Sequence, residues 1–328
     1  MPKLDKDKAT QLIHEKLIKS GCSHENLEGI TEGILDAEYS GIKSHGFHYL
    51  PIYCNHLKIG KINGNSMPFS DTTGSIIKIN ADNGFAHSAI NLGIPKLINL
   101  ANDQGIACMS IYNSYNCGVL GYHTKKIAMQ GILALGFTNA PASIAPVGAT
   151  KAVIGTNPFS LSVPYKGGIK ILIDQSSSVI AKSEISVRAK KNEPIPEGWA
   201  FDSDGKPTTD ANEALKGTMA PTGGYKGFGV GMLVEILTAC IAGGNLGIHA
   251  SSFAGEDGGP PSTGQFFIAI NPKKFNPNYE TAVEDLVDAI VKQDGARLPG
   301  SKRLSHYQAN LDQDILINDD LFDRLQKI

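Results

Sequence analysis

A histidine-rich stretch, Ser44-His45-Gly46-Phe47-His48-Tyr49-Leu50-Pro51, contains the side chains best suited to proton transfer. It lies between two predicted helices, and polar residues in loops are commonly functional. The ordinary pKa of histidine suits a general acid near neutral pH, so His45 is the leading proton-donor candidate. The adjacent Ser44 could orient its ring or contact a substrate. The alternative is a capping serine beside a surface histidine.

The histidines of this region do not predict a metal site. His45, His48 and His56 are separated by 3 and 8 residues, and these spacings match no familiar ligand pattern. No carboxylate lies close to them in the sequence. We therefore expect no bound metal.

The familiar phosphate-binding signatures are absent from the sequence. Neither Gly-Lys pair, at positions 60 and 205, has the flanking residues of a P-loop, and no predicted strand is followed by G-x-G-x-x-G. The segment Gly223–Gly229 comes closest, because its backbone amides begin a predicted helix beside Tyr225 and Lys226. The alternative for these glycines is a close approach of helix to sheet.

Three further turns contain polar groups that could contact a ligand. Thr156 lies in a turn directly before a predicted strand. The residues Asp174-Gln175-Ser176 come at the end of another predicted strand, where their side chains could hydrogen-bond a ribose or an amide. The basic turn Arg297–Arg303 could bind phosphates. Each segment is also compatible with a purely structural role, namely turn formation, helix capping or a solvated basic loop.

The composition points to an α/β protein with a small-molecule partner. The 328 residues include 36 glycines and 17 prolines, with 41% hydrophobic and 19% charged residues, which excludes a disordered chain and a helical bundle. The chain has 30 basic and 32 acidic residues, for a net charge of −2. Neither nucleic acid nor an anionic membrane surface is therefore an expected partner.

Cysteine usage predicts a reducing compartment. The five cysteines are scattered and form no C-x-x-C pair, so we expect free thiols rather than disulfides or a thiolate metal site. The charged start lacks the apolar core of a signal peptide, and no run of 18 apolar residues occurs. The expected location is the cytoplasm.

Apolar spacing predicts helices first and a sheet afterwards. Three helices are expected in the first 60 residues, the third over about Tyr49–Lys58, followed by a turn-rich segment over Asn63–Gly74. Short apolar runs then predict strands at 76–79, 106–112, 132–137, 161–163, 169–173 and 265–270. Helices are expected at 87–104 and 119–130, and a hairpin at 160–174, which together favour a mixed sheet.

The remaining segments complete a three-part organisation. Residues 192–222 form a polar region too long for a simple connection, and a buried helix is expected over 227–242. We expect an N-terminal helical region (1–74), a mixed α/β cofactor-binding domain (75–275) and a C-terminal helical region (276–328) that packs back on the N-terminal part.

The motifs occur together in one order along nearly the whole chain. They are Ser44-His45-Gly46, Asn113-Ser114, Ala145-Pro146-x-Gly148, Gly155-Thr156-Asn157-Pro158, Pro196-Glu197-Gly198, Gly224-x-Lys226-Gly227 and Leu298-Pro299-Gly300. In this order they resemble the type 2 malate/L-lactate dehydrogenase family, NAD(P)-dependent oxidoreductases unrelated to the Rossmann dehydrogenases. The resemblance implies a mixed, largely antiparallel, non-Rossmann cofactor-binding sheet flanked by helices. It also implies a homodimer with the active site near the subunit interface.

The resemblance assigns roles to most of the polar segments. It implies that His45 is the proton donor and that Ser44 contacts the substrate. The cofactor would lie against Asp174-Gln175-Ser176, Tyr225-Lys226 and the turn Gly300-Ser301-Lys302-Arg303.

Two positions on the substrate side depart from the family. Tyr49 stands where the family usually has an arginine for the substrate carboxylate, and Asn116 replaces its second histidine. A phenol cannot form the bidentate ion pair of a guanidinium, so either another cation such as Arg188 takes over or the substrate is not an ordinary 2-oxo acid. We place His48, Tyr49, Asn116 and Thr156 among the substrate-binding residues.

Finer features resemble the reductases of Δ1-piperideine-2-carboxylate and Δ1-pyrroline-2-carboxylate. These are Asn83-Gly84-Phe85-Ala86, Thr263-Gly264-Gln265 and Glu184, an acidic residue where many malate-type members have a lysine. A carboxylate at Glu184 could stabilise or protonate an iminium nitrogen, which adds it to the catalytic candidates. The alternative is an exposed glutamate at a strand end.

The expected activity is NAD(P)H-dependent hydride transfer to C2 of a small 2-oxo acid or cyclic 2-imino acid. NADPH is favoured over NADH because Lys302 and Arg303 could contact a 2′-phosphate. One alternative is a malate/lactate-type dehydrogenase acting on open-chain hydroxy acids. Another is a noncatalytic cofactor-binding protein, since positions 49 and 116 have both changed.

Overall fold

The structure is a computed structural model that describes residues 2–328. Twelve helices are assigned in it: α1 (Lys6–Lys19), α2 (Leu27–Tyr39), α3 (Leu50–Lys58), α4 (Ala86–Gln104), α5 (Leu120–Ala128), α6 (Lys182–Lys191), α7 (Ala211–Lys216), α8 (Tyr225–Glu235), α9 (Pro272–Phe275), α10 (Tyr279–Val291), α11 (Ser301–Asn310) and α12 (Asp319–Gln326). Twelve strands accompany them: β1 (Lys3–Leu4), β2 (Phe69–Thr73), β3 (Ile76–Asn80), β4 (Ile106–Ser114), β5 (Leu133–Thr138), β6 (Phe159–Tyr165), β7 (Gly168–Gln175), β8 (Ala200–Phe201), β9 (Pro207–Thr208), β10 (Thr218–Met219), β11 (Thr263–Ile270) and β12 (Ile315–Leu316).

A seven-stranded sheet in the order β2-β3-β4-β11-β5-β6-β7 forms the centre of the molecule. β3 and β4 pair in parallel, and every other neighbouring pair in the sheet is antiparallel. The predicted hairpin is β6 and β7, closed by Lys166 and Gly167, both of which have positive φ, as a tight two-residue turn requires. The prediction of a mixed, largely antiparallel sheet is confirmed.

The N-terminal helices and the C-terminal end share one core. Apolar side chains of α1, α2 and α3 pack with Ile315, Ile317, Leu321 and Leu325 from the last residues. β1 also pairs with β12. The end of the chain therefore supports the elements on either side of the Ser44-His45 turn.

The rest of the C-terminal part packs elsewhere. Val283 and Val287 of α10 lie against Val163 and Ile171 of the β6–β7 hairpin, together with Leu298. α10 thus covers the sheet, whereas α12 covers the N-terminal helices. The division into three regions stays a prediction.

Residues 192–222 do not form a long loop. They contain α7 and the short strands β8, β9 and β10, which pair as a small three-stranded sheet. Together with α6 these elements enclose their own apolar cluster, which includes Ile185, Ile195 and Met219. The polar sequence concealed this unit because each of its strands is only 2 residues long.

Two further expectations from the sequence were wrong. The turn-rich segment 63–74 includes β2, an edge strand whose five residues are almost all exposed, so it lacks the apolar alternation that reveals a strand. The helix expected to be buried over 227–242 is α8 followed by a π-helical turn, Ile236–Ile241. It is buried on one side only, and its other side exposes Leu233, Ile236 and Ile241.

Candidate active site

The Ser44-His45 turn is fixed by the buried carboxylate of Glu38 at the end of α2. Glu38 Oε1 accepts from the Phe47 amide at 2.8 Å, and Oε2 accepts from Lys43 Nζ at 3.0 Å. A Cβ at Gly46 would lie 2.1 Å from the same carboxylate, so this position requires glycine. The Ser-His-Gly sequence therefore presents the His45 ring in one place.

His45 lies among groups that act on its proton. Its Nδ1 lies 3.0 Å from Ser44 Oγ, and its ring stacks parallel to that of Tyr49, with centroids 6.2 Å apart. Burial lowers the pKa of His45 below its ordinary value, while the Asp174 carboxylate raises that pKa and the Arg303 guanidinium lowers it. This electrostatic interaction couples the histidine to two residues that the sequence assigned to the cofactor.

Asp174 joins three parts of the chain at the end of β7. Its Oδ2 accepts from the Gly121 amide at the start of α5, at 3.1 Å, and from Arg303 Nη1, at 2.5 Å. The amide of Leu172 donates to the Pro299 carbonyl at 3.2 Å, which fixes the basic turn to β7. Asp174 therefore neutralises Arg303 and caps α5, so Arg303 is not a free cation.

The other predicted cofactor segments meet at the same place. The Ser177 amide donates to the Thr156 carbonyl and the Thr222 amide donates to the Ser177 carbonyl, both at 2.8 Å. These two bonds bring the turns at Thr156 and at Tyr225-Lys226 to either side of the chain that follows β7. Segments more than a hundred residues apart in sequence thus form one surface.

The exposed polar groups of this surface are of the kinds that bind a dinucleotide. Tyr225 is 71% exposed, and the Lys226 and Lys302 side chains are exposed as well. Gln175 is also exposed, while Ser176 Oγ lies 3.0 Å from Ser178 Oγ. Gly300 has a φ of +79°, and a Cβ there would lie 2.4 Å from the Leu172 carbonyl, so glycine is needed where the turn meets β7. Two lysines, hydroxyls and helix starts are the groups that bind phosphates and ribose.

Tyr49 and Asn116 belong to an aromatic cluster beside His45. Asn116 Nδ2 donates to the Tyr49 hydroxyl at 3.0 Å, and Tyr49 in turn donates to the Phe253 carbonyl at 3.2 Å. The Tyr53 hydroxyl donates to Asn116 Oδ1 at 3.0 Å. Burial raises the pKa of Tyr49 to about 12, so its phenol stays neutral. The two positions at which the resemblance predicts other residues are thus neutral and hydrogen-bonded to each other.

Three predicted residues lie apart from these groups. His48 is exposed on the turn before α3, and Glu184 is exposed in the first turn of α6. Glu184 is therefore on a helix and not, as the alternative supposed, at a strand end. Arg188 donates from Nη1 to the Pro194 carbonyl at 2.9 Å and lies over the Trp199 ring at 5.1 Å, so part of its guanidinium is engaged, while its buried Nε has no partner within residues 2–328.

Sequence reasoning missed several residues of the site. Tyr53, Tyr115 and Phe253 complete the aromatic cluster, and Gly121 contributes the amide that binds Asp174. The pattern of α3 signals a helix but not that its tyrosine, Tyr53, reaches Asn116. Phe253 has no local signal, because its partners lie far away in the sequence.

Neither a metal cluster nor a membrane span is found in the described chain. Within residues 2–328, no group of three or more metal-ligating side chains is close enough to bind an ion. Among the helices of that same range, none combines the length and the apolar character needed to cross a bilayer.

Comparison with known proteins identifies the family. A family model described as malate/L-lactate dehydrogenase matches residues 4–326. The chain belongs to this family. The resemblance inferred from the motif order is therefore confirmed, and the chain is an NAD(P)-dependent oxidoreductase. This favours an enzyme over the noncatalytic alternative.

Individual relatives of this family member include enzymes for both substrate classes. It is 37% identical over 276 residues to the (2R)-3-sulfolactate dehydrogenase (NADP(+)) of Chromohalobacter salexigens, covering 84% of this chain and 83% of that protein. It is 33% identical over 322 residues to a Δ1-pyrroline-2-carboxylate reductase of Ancylobacter novellus, covering 97% and 94% of the two chains.

Among solved structures, it matches the Δ1-piperideine-2-carboxylate reductase of Pseudomonas syringae with a TM-score of 0.93 at 29% identity. That match covers 100% of this chain and 99% of the other. The predicted fold class is therefore confirmed for the whole chain.

Proposed function

We propose that the chain catalyses NAD(P)H-dependent reduction of a small 2-oxo or cyclic 2-imino acid, with a preference for the cyclic imine. The observation that carries this proposal is the Asp174–Arg303 pair, which lies on the surface formed by the predicted cofactor segments and acts electrostatically on the proton donor His45. The cofactor, when bound, supplies the hydride.

The protein's part in the reaction is a proton delivered from His45. The imidazolium Nδ1–H would donate to Ser44 Oγ, which lies 3.0 Å away, and this leaves the Nε2–H free for the substrate oxygen or nitrogen at C2. The Asp174 carboxylate favours the protonated ring. After transfer the ring is neutral, which burial favours.

The aromatic cluster supports a cyclic imine as the substrate. The half-buried Tyr49 presents a neutral ring near His45, and the buried rings of Tyr53 and Tyr115 pack behind it. Burial is the main cause of the raised pKa of all three phenols. Such a surface excludes water and suits a flat ring better than a short charged chain. Glu184 remains a proposed partner for the iminium nitrogen, although in the single chain it lies exposed on α6. Thr156 and His48 likewise remain proposed substrate contacts.

A second candidate is reduction of an open-chain 2-oxo acid. It is supported by the 37% identity to a sulfolactate dehydrogenase. A substrate with a strong second anion would need a cation beyond Arg303, which is already paired with Asp174. The geometry therefore favours the cyclic imine.

The exposed side of α8 supports a homodimer. Leu233, Ile236 and Ile241 are 51%, 45% and 59% exposed along one continuous helical segment. A contiguous apolar surface of this kind on a folded protein usually marks an interface. The segment follows directly from Tyr225-Lys226, so the interface we propose adjoins the cofactor surface. The cytoplasm remains the proposed location, supported by five cysteines that are all free.

The deciding experiment follows the loss of nicotinamide absorbance with NADPH and NADH in parallel. Pyruvate, oxaloacetate and Δ1-piperideine-2-carboxylate serve as substrates. We expect the cyclic imine to give the highest kcat/KM, and His45→Gln to lose about 10²- to 10⁴-fold in kcat while still binding cofactor. His24→Gln, at an exposed position outside the site, is the matched control. Turnover confined to the open-chain acids would select the second candidate, and unchanged kcat in His45→Gln would remove this residue from its role.

A further inference from the structure

A fully buried lysine holds the loop that closes one side of the aromatic cluster. Lys61 follows α3 and is 1% exposed. Its Nζ donates to the backbone carbonyls of Ser252, Gly255 and Asp257 at 2.9, 2.9 and 2.7 Å. These three bonds use all three ammonium hydrogens, and the charge of Asp257 also favours the protonated lysine. A buried ammonium needs such partners, because an unpaired one is strongly disfavoured.

The anchored loop, residues 251–261, lies outside helices and strands. Within it, Ser252 Oγ accepts from the Ala254 and Gly255 amides, both at 3.1 Å. From outside, Asn55 Nδ2 donates to Glu256 Oε1 at 3.0 Å. Since sheet and helix bonds are lacking there, side chains from α3 and the turn after it determine where the loop lies.

This loop contacts the proposed substrate side through Phe253. The Phe253 carbonyl accepts the hydrogen bond of the Tyr49 hydroxyl, and its ring lies 5.4 Å from that of Tyr115. Tyr49 is stacked on His45. A continuous path of contacts therefore leads from Lys61 through Phe253 to Tyr49 and His45.

We propose that Lys61 is a positioning residue for the reduction: it holds the Phe253 carbonyl where that carbonyl orients Tyr49 beside His45. This inference rests on the proposed function. It assigns to Lys61 an effect on substrate binding and none on cofactor binding, because the path leads to the aromatic cluster and not to Asp174 or the basic turn.

The test replaces the ammonium by an uncharged side chain of similar length. Lys61→Met is expected to raise KM for the reduced substrate at least tenfold, to leave the Kd of NADPH within twofold, and to speed hydrogen exchange in residues 246–262. Lys58→Met, at an exposed position one turn earlier, is the matched control and should change none of these. Unchanged KM in Lys61→Met overturns the positioning role, and unchanged exchange overturns the anchoring of the loop on which that role depends.

A double-mutant cycle separates positioning from a general loss of stability. If Lys61 acts through Tyr49, the rise in KM of Lys61→Met combined with Tyr49→Phe should equal the larger single effect. If the effects of the two substitutions on KM are fully additive in free energy, Lys61 does not act through Tyr49. Should Lys61→Met fail to fold, Asn55→Ala, which removes the contact to Glu256 on the same loop, is expected to raise KM two- to fivefold. No change there would count against the proposal.

Failure of the proposed function can be told apart from failure of this inference. Absence of turnover by the unmodified chain on every 2-oxo and imino acid rejects the function. Hydrogen exchange needs no substrate, so faster exchange in Lys61→Met would still support the anchor, whereas unchanged exchange would reject it.

Discussion

Tyr49 and Asn116, which lie 67 positions apart, are hydrogen-bonded to each other at 3.0 Å. The resemblance predicts an arginine and a second histidine at these two positions. In place of that cation and imidazole, the chain has a neutral pair whose members are hydrogen-bonded to each other. Replacing Tyr49 by arginine would remove the hydroxyl that accepts this bond, so the two residues depend on each other.

Introducing a cation at position 49 should change substrate preference. Tyr49→Arg is expected to lower KM for pyruvate or oxaloacetate about tenfold or more, because a guanidinium–carboxylate hydrogen bond contributes roughly 1.5–3 kcal/mol. The ratio of kcat/KM values for the open-chain acid and the cyclic imine is the quantity to measure. Tyr49→Gln, polar and neutral, is the control, and an equal ratio in the two variants would contradict the prediction.

The pH dependence of reduction should follow the His45 proton. Burial places the pKa of this group below its ordinary 6.5, so kcat/KM for reduction should fall with rising pH from below that value. Asp174→Asn removes the charge that raises this pKa and leaves Arg303 unopposed, so the profile should move to more acidic pH. His45→Gln should abolish this fall of kcat/KM with rising pH. An unmoved profile in Asp174→Asn would exclude the proposed coupling.

Stability in acid should depend on a buried histidine pair behind the site. The ring centroids of His87 and His123 lie 5.3 Å apart, and burial lowers the pKa of His123 to about 4. The unfolded chain binds a proton at about pH 6.5 and the folded chain only near 4, so stability falls as pH drops through this window. His123 alone should account for about 2 kcal/mol between pH 7 and pH 5.

Urea unfolding midpoints at the two pH values measure this loss. His123→Gln keeps a donor for the Cys117 carbonyl and should show a correspondingly smaller loss, whereas the exposed His24→Gln should lose as much as the unmodified chain. Equal losses in both variants would contradict the assignment.

The parts of the fold that could be predicted were those fixed by local patterns. The apolar spacing of α1 and the β6–β7 hairpin needed no distant information. β2 was not predicted, because an exposed edge strand has no buried face and therefore needs no alternation of apolar and polar residues. The exposed face of α8 was not predicted either, because its apolar residues predict burial. They do not show whether this chain or a second copy covers them.

The site shows the same division between local and distant information. Ser44-His45 and the basic turn were proposed from their own residues, and their roles stay predictions. The engagement of Arg303 by Asp174, and of Lys61 by three carbonyls, depends on how distant segments meet, and no spacing along the chain encodes it.

The exposed face of α8 should determine the oligomeric state. Leu233→Asp places a charge in the centre of this face and is expected to shift the protein from dimer to monomer, measured as mass by light scattering after size exclusion. Leu286→Asp on α10 is the matched control, because that leucine is 55% exposed on a different surface. A monomeric unmodified chain, or a dimer that survives Leu233→Asp, would exclude this interface.

Preference between the two cofactors should depend on Lys302 more than on Arg303. Arg303 is committed to Asp174, whereas Lys302 is exposed and, within residues 2–328, forms no ion pair. A 2′-phosphate near the basic turn would therefore be bound by Lys302. Lys302→Ala should raise KM for NADPH roughly five- to tenfold, the effect of losing about 1 kcal/mol at an exposed site, with KM for NADH unchanged. The exposed Lys58→Ala should change neither value. Equal effects of Lys302→Ala on the two cofactors would place the 2′-phosphate elsewhere.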